Sequence, residues 1–159
     1  EFNIDFNRIK EDTFNFSYKL DDTFFGLKEN SLYQKGDLRV AVDGTRIENT
    51  VTLKLHIYGV VLSDCERCLE PIKIPLDFEY LEGIKLTSDQ QMLGEDNHIP
   101  ENNPVFSTYD TIYEHICIEM PNRLICVNSS KQEECDLPQS AESRDNTDPR
   151  WDKLKNLIK

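Results

Sequence analysis

The chain has 159 residues, 38% hydrophobic and 30% charged, which is a globular balance on the hydrophilic side with enough length to bury a core. Lys and Arg number 18 against 30 Asp and Glu, for a net charge of −12, which argues against a nucleic-acid binder that neutralises phosphates with clustered basic side chains. The apolar runs, such as residues 58–62, are too short to span a bilayer, and no basic segment followed by an apolar block opens the chain, so neither a membrane anchor nor a signal peptide is expected and the cytoplasm is the expected location.

In chain order, Phe14, Phe16, Tyr18 and Leu20 alternate with polar residues, the period of a half-buried strand. Phe24, Phe25 and Leu27 form an apolar knot fit to anchor a short helix or turn. Leu38, Val40 and Val42 begin a second strand, and Val51, Leu53, Leu55 and Ile57 run through a third that continues past Gly59 to Ser63. Asp43-Gly44 is a good type I′ turn pair, but a turn at Glu48-Asn49 lets the alternation run further on both sides and is preferred. Ile72, Ile74, Leu76, Phe78 and Tyr80 make a fourth strand, whose Pro71 and Pro75 point to an edge or irregular position.

Residues 87–104 are polar and contain Gly94, Pro100 and Pro104, as a loop or insertion would. Ser107 then offers a helix cap, with Asp110 three residues on as the acid of a capping box. Ile112, Ile116 and Met120 share one face of a helix over 108–120, joined by Tyr113 and Cys117, and Pro121 closes it. Residues 129–147 are polar and read as mobile. A last short helix follows, with Asp148 as N-cap, Pro149 in its first turn, and Trp151, Leu154, Leu157 and Ile158 as its apolar stripe. The sum is an α+β protein: one antiparallel β-rich domain over 1–128 with a helix after residue 107, then a partly flexible tail, 129–159, ending in a short C-terminal helix.

Charge is unevenly spread. Residues 77–101 carry Asp77, Glu79, Glu82, Asp89, Glu95, Asp96 and Glu101 against Lys85 alone. Such a field repels RNA and attracts basic partners; an acidic surface also simply keeps a protein soluble.

Five cysteines stand at 65, 68, 117, 126 and 135. A redox C-x-x-C places its first thiolate at a helix N-terminus, whereas Cys65-Glu66-Arg67-Cys68 follows a strand and precedes Pro71 and Pro75 with isoleucines between them. The pair therefore belongs at a hairpin tip, where a zinc knuckle aims two sulfurs at one point. Cys126 and Cys135 can complete a four-thiolate site for one zinc ion, although eight residues without a glycine separate them, a wide gap for a knuckle. The spacing favours this site over unmetallated thiols, and both over catalytic redox chemistry through Cys65 and Cys68 or disulfides. Cys117, among apolar helix residues, reads as core.

No phosphate-binding loop, dinucleotide fingerprint, nucleophile elbow or H-E-x-x-H motif is present, and His56, His98 and His115 read as isolated, so no catalytic residue is expected.

Cys65-Glu66-Arg67-Cys68-Leu69-Glu70-Pro71 resembles the C-x-R-C-L-x-P signature of the YceD family. The resemblance continues in order through the helix ending at Pro121, where Ile118 replaces a leucine of the family pattern E-x-I-x-L-x-x-P, then Cys126 and Cys135, and then Asp148-Pro149-Arg150-Trp151 with Leu154, similar to the family's D-P-R-W-x-x-L. It covers the chain from about residue 65 onward. It implies a bacterial or plastid protein, not an enzyme, that is needed for accumulation of large-subunit ribosomal RNA, and it carries over the cysteines as a metal site.

Three functions compete on these grounds. The first is an assembly factor that binds a basic ribosomal protein or pre-ribosomal particle through its acidic face. The second is a zinc knuckle that binds RNA directly with Arg67 at its tip. The third is a thiol redox protein. Arg67, Arg150 and Trp151 are the candidate partner-binding residues, although Trp151 can equally dock its helix on the core, which needs no partner, and Arg150 can pair within the domain.

Overall fold

The computed structural model describes residues 2–29, 31–89, 92–93, 97–132 and 135. Five strands form the main sheet in the order β2 (Thr13–Leu20), β3 (Lys35–Ile47), β4 (Thr50–Asp64), β5 (Pro71–Thr87) and β6 (His98–Pro100). Strands β2 to β5 are antiparallel neighbours, and β6 adds to β5 in parallel. A separate two-stranded sheet joins β1 (Asn3–Asp5) to β7 (Val105–Ser107), which leads into α2 (Thr108–Glu119). The short helix α1 (Asp22–Gly26) connects β2 to β3. The α+β class expected from sequence holds. The expected C-terminal helix, with Arg150 and Trp151, lies outside the described residues.

The alternation of the sequence becomes a one-sided sheet. Leu38, Val40 and Val42 of β3, Val51, Leu53, Leu55 and Ile57 of β4, and Ile72, Ile74 and Leu76 of β5 all point into the core. Phe24 and Phe25 of α1, Phe6 after β1, and Ile112, Tyr113 and Ile116 of α2 complete that core. The opposite face is solvated and carries cross-strand ion pairs, such as Lys54 to Glu79 at 2.9 Å.

The β3–β4 hairpin turns at Glu48 and Asn49, and Glu48 takes the left-handed φ of 52° that a tight turn needs. The rival pair Asp43-Gly44 sits inside β3. Gly44 makes room there for the Phe14 ring, which lies over it: a Cβ would fall 2.0 Å from that ring and the ring would have to shift.

Several features depart from the sequence reading. Ser107 stands at the N-cap of α2 with the extended backbone usual there, paired with Asn3, but its side chain makes no cap hydrogen bond. The Thr108 N–H and hydroxyl instead both donate to the Phe2 carbonyl, at 2.9 and 2.8 Å. The polar insertion 87–104 contains a strand, β6, which pairs with Lys85, Leu86 and Thr87. His56 is not isolated: its Nε2 lies 2.7 Å from Asp77 Oδ1 on the neighbouring strand. His115 stacks on Tyr80, with ring centroids 3.7 Å apart.

Candidate metal centre

The β4–β5 connection starts one residue after β4, at Cys65. The Cys65 N–H donates to the Glu70 carbonyl at 2.8 Å, and the Leu69 N–H donates back to the Cys65 carbonyl at 2.9 Å. These two bonds close a tight loop, in which Leu69 is held at a left-handed φ of 61°. Cys65 and Cys68 face the same side of that loop, and the Arg67 N–H points at Cys65 Sγ from 3.5 Å. The tip expected from the two prolines is thus a turn between strands and not a helix start.

The other half comes from the chain after α2. The Glu66 N–H donates to the Leu124 carbonyl at 2.7 Å, drawing this segment against the tip. Cys126 opens a 3-10 turn (Cys126–Asn128). Ser129, which is buried, donates its hydroxyl to the Cys126 carbonyl at 2.6 Å, and the Ser130 N–H reaches the Lys73 carbonyl on β5 at 2.8 Å. Sequence reasoning placed both serines in the polar tail; only their position after a ligand cysteine hinted at an anchor. Gln132 takes a left-handed φ of 52°, supplying the reversal that the missing glycine would otherwise provide. Turn, anchor and reversal all fall within residues 126–132, and Cys135 stands back at the site.

The Sγ atoms of Cys65, Cys68, Cys126 and Cys135 all lie within 4.8 Å of one another. The close contacts cross between the two halves: Cys65 to Cys135 at 3.4 Å and Cys68 to Cys126 at 3.5 Å. Four sulfurs bound to one zinc at about 2.3 Å sit roughly 3.8 Å apart, so the donor set fits a closed tetrahedral site with small adjustment. Cys117 stands apart on α2, half-buried, and burial raises its pKa.

The electrostatics agree with a cation site. Burial pushes the Cys65 thiol up, but the backbone N–H groups of Cys68 and Arg67 and the neighbouring thiols outweigh it and carry the pKa down to about 6. The Cys68 thiol is drawn down by the Glu70 N–H and by Cys126, yet burial and the Cys65 and Cys135 thiols leave it raised. Cys126 is raised, first by Cys68 and then by Cys135. One thiolate is easy here and further ones are opposed by their neighbours, the arrangement a divalent cation relieves. A redox nucleophile would need access, whereas Cys65 is fully buried.

Beside the cysteines runs an open groove of about 1450 Å³. Lys35, Arg67, Lys73 and Lys131 line it against Asp64 and Glu70, a basic spot on an acidic protein. Leu32 and Leu69 are exposed at its wall, at 74% and 77%.

Nothing among curated proteins or solved structures matches the chain. The family model described as "Large ribosomal RNA subunit accumulation protein YceD" matches residues 53–158, which takes in most of β4, the cysteine tip, α2 and all four clustered cysteines. That match spans well over half of the sequence, and the chain belongs to the YceD family.

Proposed function

We propose that this protein supports large-subunit ribosomal RNA accumulation as a non-enzymatic assembly factor, binding a basic ribosomal protein or pre-ribosomal particle through its acidic surface. The observation that carries this reading is a net charge of −12 on a member of this family, with acids concentrated between residues 77 and 101. One zinc ion held by Cys65, Cys68, Cys126 and Cys135 has a structural role in it. Four thiolates leave no open coordination position for chemistry, and the bound cation ties the segment after α2 to the tip of the β4–β5 hairpin. The protein then works in the compartment where large subunits are assembled.

Cells lacking the protein are expected to show a lower ratio of large- to small-subunit ribosomal RNA. The protein should sediment with pre-ribosomal particles at low salt and leave them as salt rises. An unchanged RNA ratio would overturn the assembly role, and salt-insensitive association would overturn its electrostatic basis.

Direct RNA binding is a second reading, favoured by the four basic side chains lining the groove beside the cysteines. It predicts a mobility shift with large-subunit RNA fragments that Arg67→Glu abolishes; no shift at low salt would remove it.

A further inference from the structure

Strand β5 is long and its outer edge is only partly used. At one end the Lys73 carbonyl accepts the Ser130 N–H; at the other the Lys85 N–H donates to the Asn97 carbonyl and the Thr87 carbonyl accepts the Glu101 N–H. All three are odd-numbered residues turned away from β4. The β4–β5 register runs without a bulge from Asp64↔Pro71 to Thr50↔Lys85, so the parity holds throughout. The outward backbone groups between these ends therefore belong to Pro75, Asp77, Glu79, Leu81 and Gly83. The backbone bonds and pairings seen on this side of β5 lie at Lys73 and at Lys85 to Thr87. The same five residues are exposed, and a Cβ at Gly83 would meet nothing within 4 Å.

Exposed edges are ordinarily blunted by lysine, proline or a bulge. Here Pro75 guards one end and Lys85 the other, but residues 77–83 carry neither. They carry Asp77 and Glu79 on the solvent face, Leu81 exposed at 70%, and Glu82 on the other face. Glu119 of α2, one turn beyond the His115 that stacks on Tyr80, adds another acid on the helix face turned toward β5. A second copy of this chain is a poor occupant, because pairing two such edges sets acids against acids on a protein already at −12.

We propose that the β5 edge over residues 75–83 is a docking site for an extended, Lys- and Arg-rich segment of a partner protein, which adds as a strand. Backbone bonds to the outward groups of 77, 79, 81 and 83 supply affinity. The acids select basic side chains at alternate positions, and Leu81 offers an apolar cross-strand contact. The proposal rests on the acidic-adaptor reading above and gives it an address.

The test is amide hydrogen exchange on the full chain, alone and with the basic protein fraction extracted from large ribosomal subunits. In the free protein the amides of Asp77, Glu79, Leu81 and Gly83 should exchange much faster than those of the even-numbered residues between them. The added fraction should slow these four at least about tenfold. Leu81→Pro removes one outward N–H and no bond to β4, as Pro75 already does at the same parity, and should abolish the protection. Leu81→Lys, which leaves the backbone intact, should weaken it as well. Binding without protection at the four amides, or binding untouched by both variants, overturns the edge site while leaving the acidic adaptor standing. No binding at low salt overturns both. Protection of the four amides already in the free protein shows the edge to be occupied by this chain or a second copy, and also overturns the proposal.

Discussion

The two long hairpins of the sheet share β4 and close in opposite ways. Between β3 and β4 the turn is Glu48 and Asn49, held by the hairpin's own register and by one bond from the adjoining strand, the Leu86 N–H to the Asn49 carbonyl at 2.7 Å. Between β4 and β5 the tip spans Cys65 to Glu70 and leans on chain far away in sequence, through Leu124, Cys126, Ser130 and Cys135. A tight turn needs only permissive dihedrals, whereas a wider tip exposes thiols and backbone groups that need outside partners. The second hairpin is thereby a place where a ligand can govern structure, and the first is not.

The largest expected effect comes from breaking that dependence. Cys126→Ser should lower bound zinc well below one per chain and cost about 3–5 kcal/mol of stability. Exchange should open at 65–70 and 124–130, while the β3–β4 amides stay protected. Elemental analysis and exchange on the purified protein check this; a zinc-free native protein with unchanged stability in the variant would remove the metal from the account.

Gly59→Ala erases the contrast instead, because β4 belongs to both hairpins. Gly59 holds φ at 139°, and a Cβ there would lie 2.3 Å from the Asp37 carbonyl oxygen and 2.8 Å from Leu38 Cα, both backbone atoms. A loss of about 3 kcal/mol in urea denaturation is expected, with exchange raised on both sides of β4. A loss confined to one hairpin would mean the strands yield independently.

A gain is expected at Tyr80 of β5. Its hydroxyl is buried and has no hydrogen-bond partner among the described residues, and burial, with a smaller contribution from Glu82, raises its pKa well above the ordinary 10.0. Tyr80→Phe should add about 1 kcal/mol by removing the unsatisfied group. The pH dependence has a definite sign. Above pH 10 the unfolded chain releases this proton while the folded chain keeps it, so stability falls as pH rises from the ordinary value toward the raised one. Tyr80→Phe should flatten that alkaline decline relative to wild type; an unchanged slope would mean that the hydroxyl is solvated.

What the sequence disclosed follows from how local each signal is. The alternation of β2 to β5, the turn at Glu48-Asn49 and the stripe of α2 depend on neighbours a few residues apart, and all are where the pattern places them. The four cysteines were legible as a set because few residue types share their chemistry. The β1–β7 pairing was not, because three residues at each end of a hundred-residue separation carry no periodicity. Strand β5 runs on to Thr87 through Glu82 and Gly83, which interrupt the apolar pattern, and sequence stopped it too early. The Asp77 partner of His56 lies on the adjacent strand and could be found only from the register.

The smallest effects sharpen the comparison most directly, because each turn holds one non-glycine residue at positive φ: Glu48 at 52° and Leu69 at 61°. A side chain in that region costs roughly 1 kcal/mol, partly offset on changing to glycine by the freer unfolded chain. Glu48→Gly and Leu69→Gly should therefore each gain somewhat less than about 1 kcal/mol in thermal or urea denaturation. Beyond stability the two should part. Glu48 sits on a turn that serves only the fold, and its glycine variant should restore large-subunit RNA fully in cells lacking the protein. Leu69 holds an apolar side chain 77% exposed beside the basic groove, a strained arrangement that folding alone does not ask for. Its glycine variant should be the more stable protein and the poorer one at restoring the RNA ratio. Full restoration by both would make Leu69 a tolerated strain and leave the groove without an apolar contact to offer a partner.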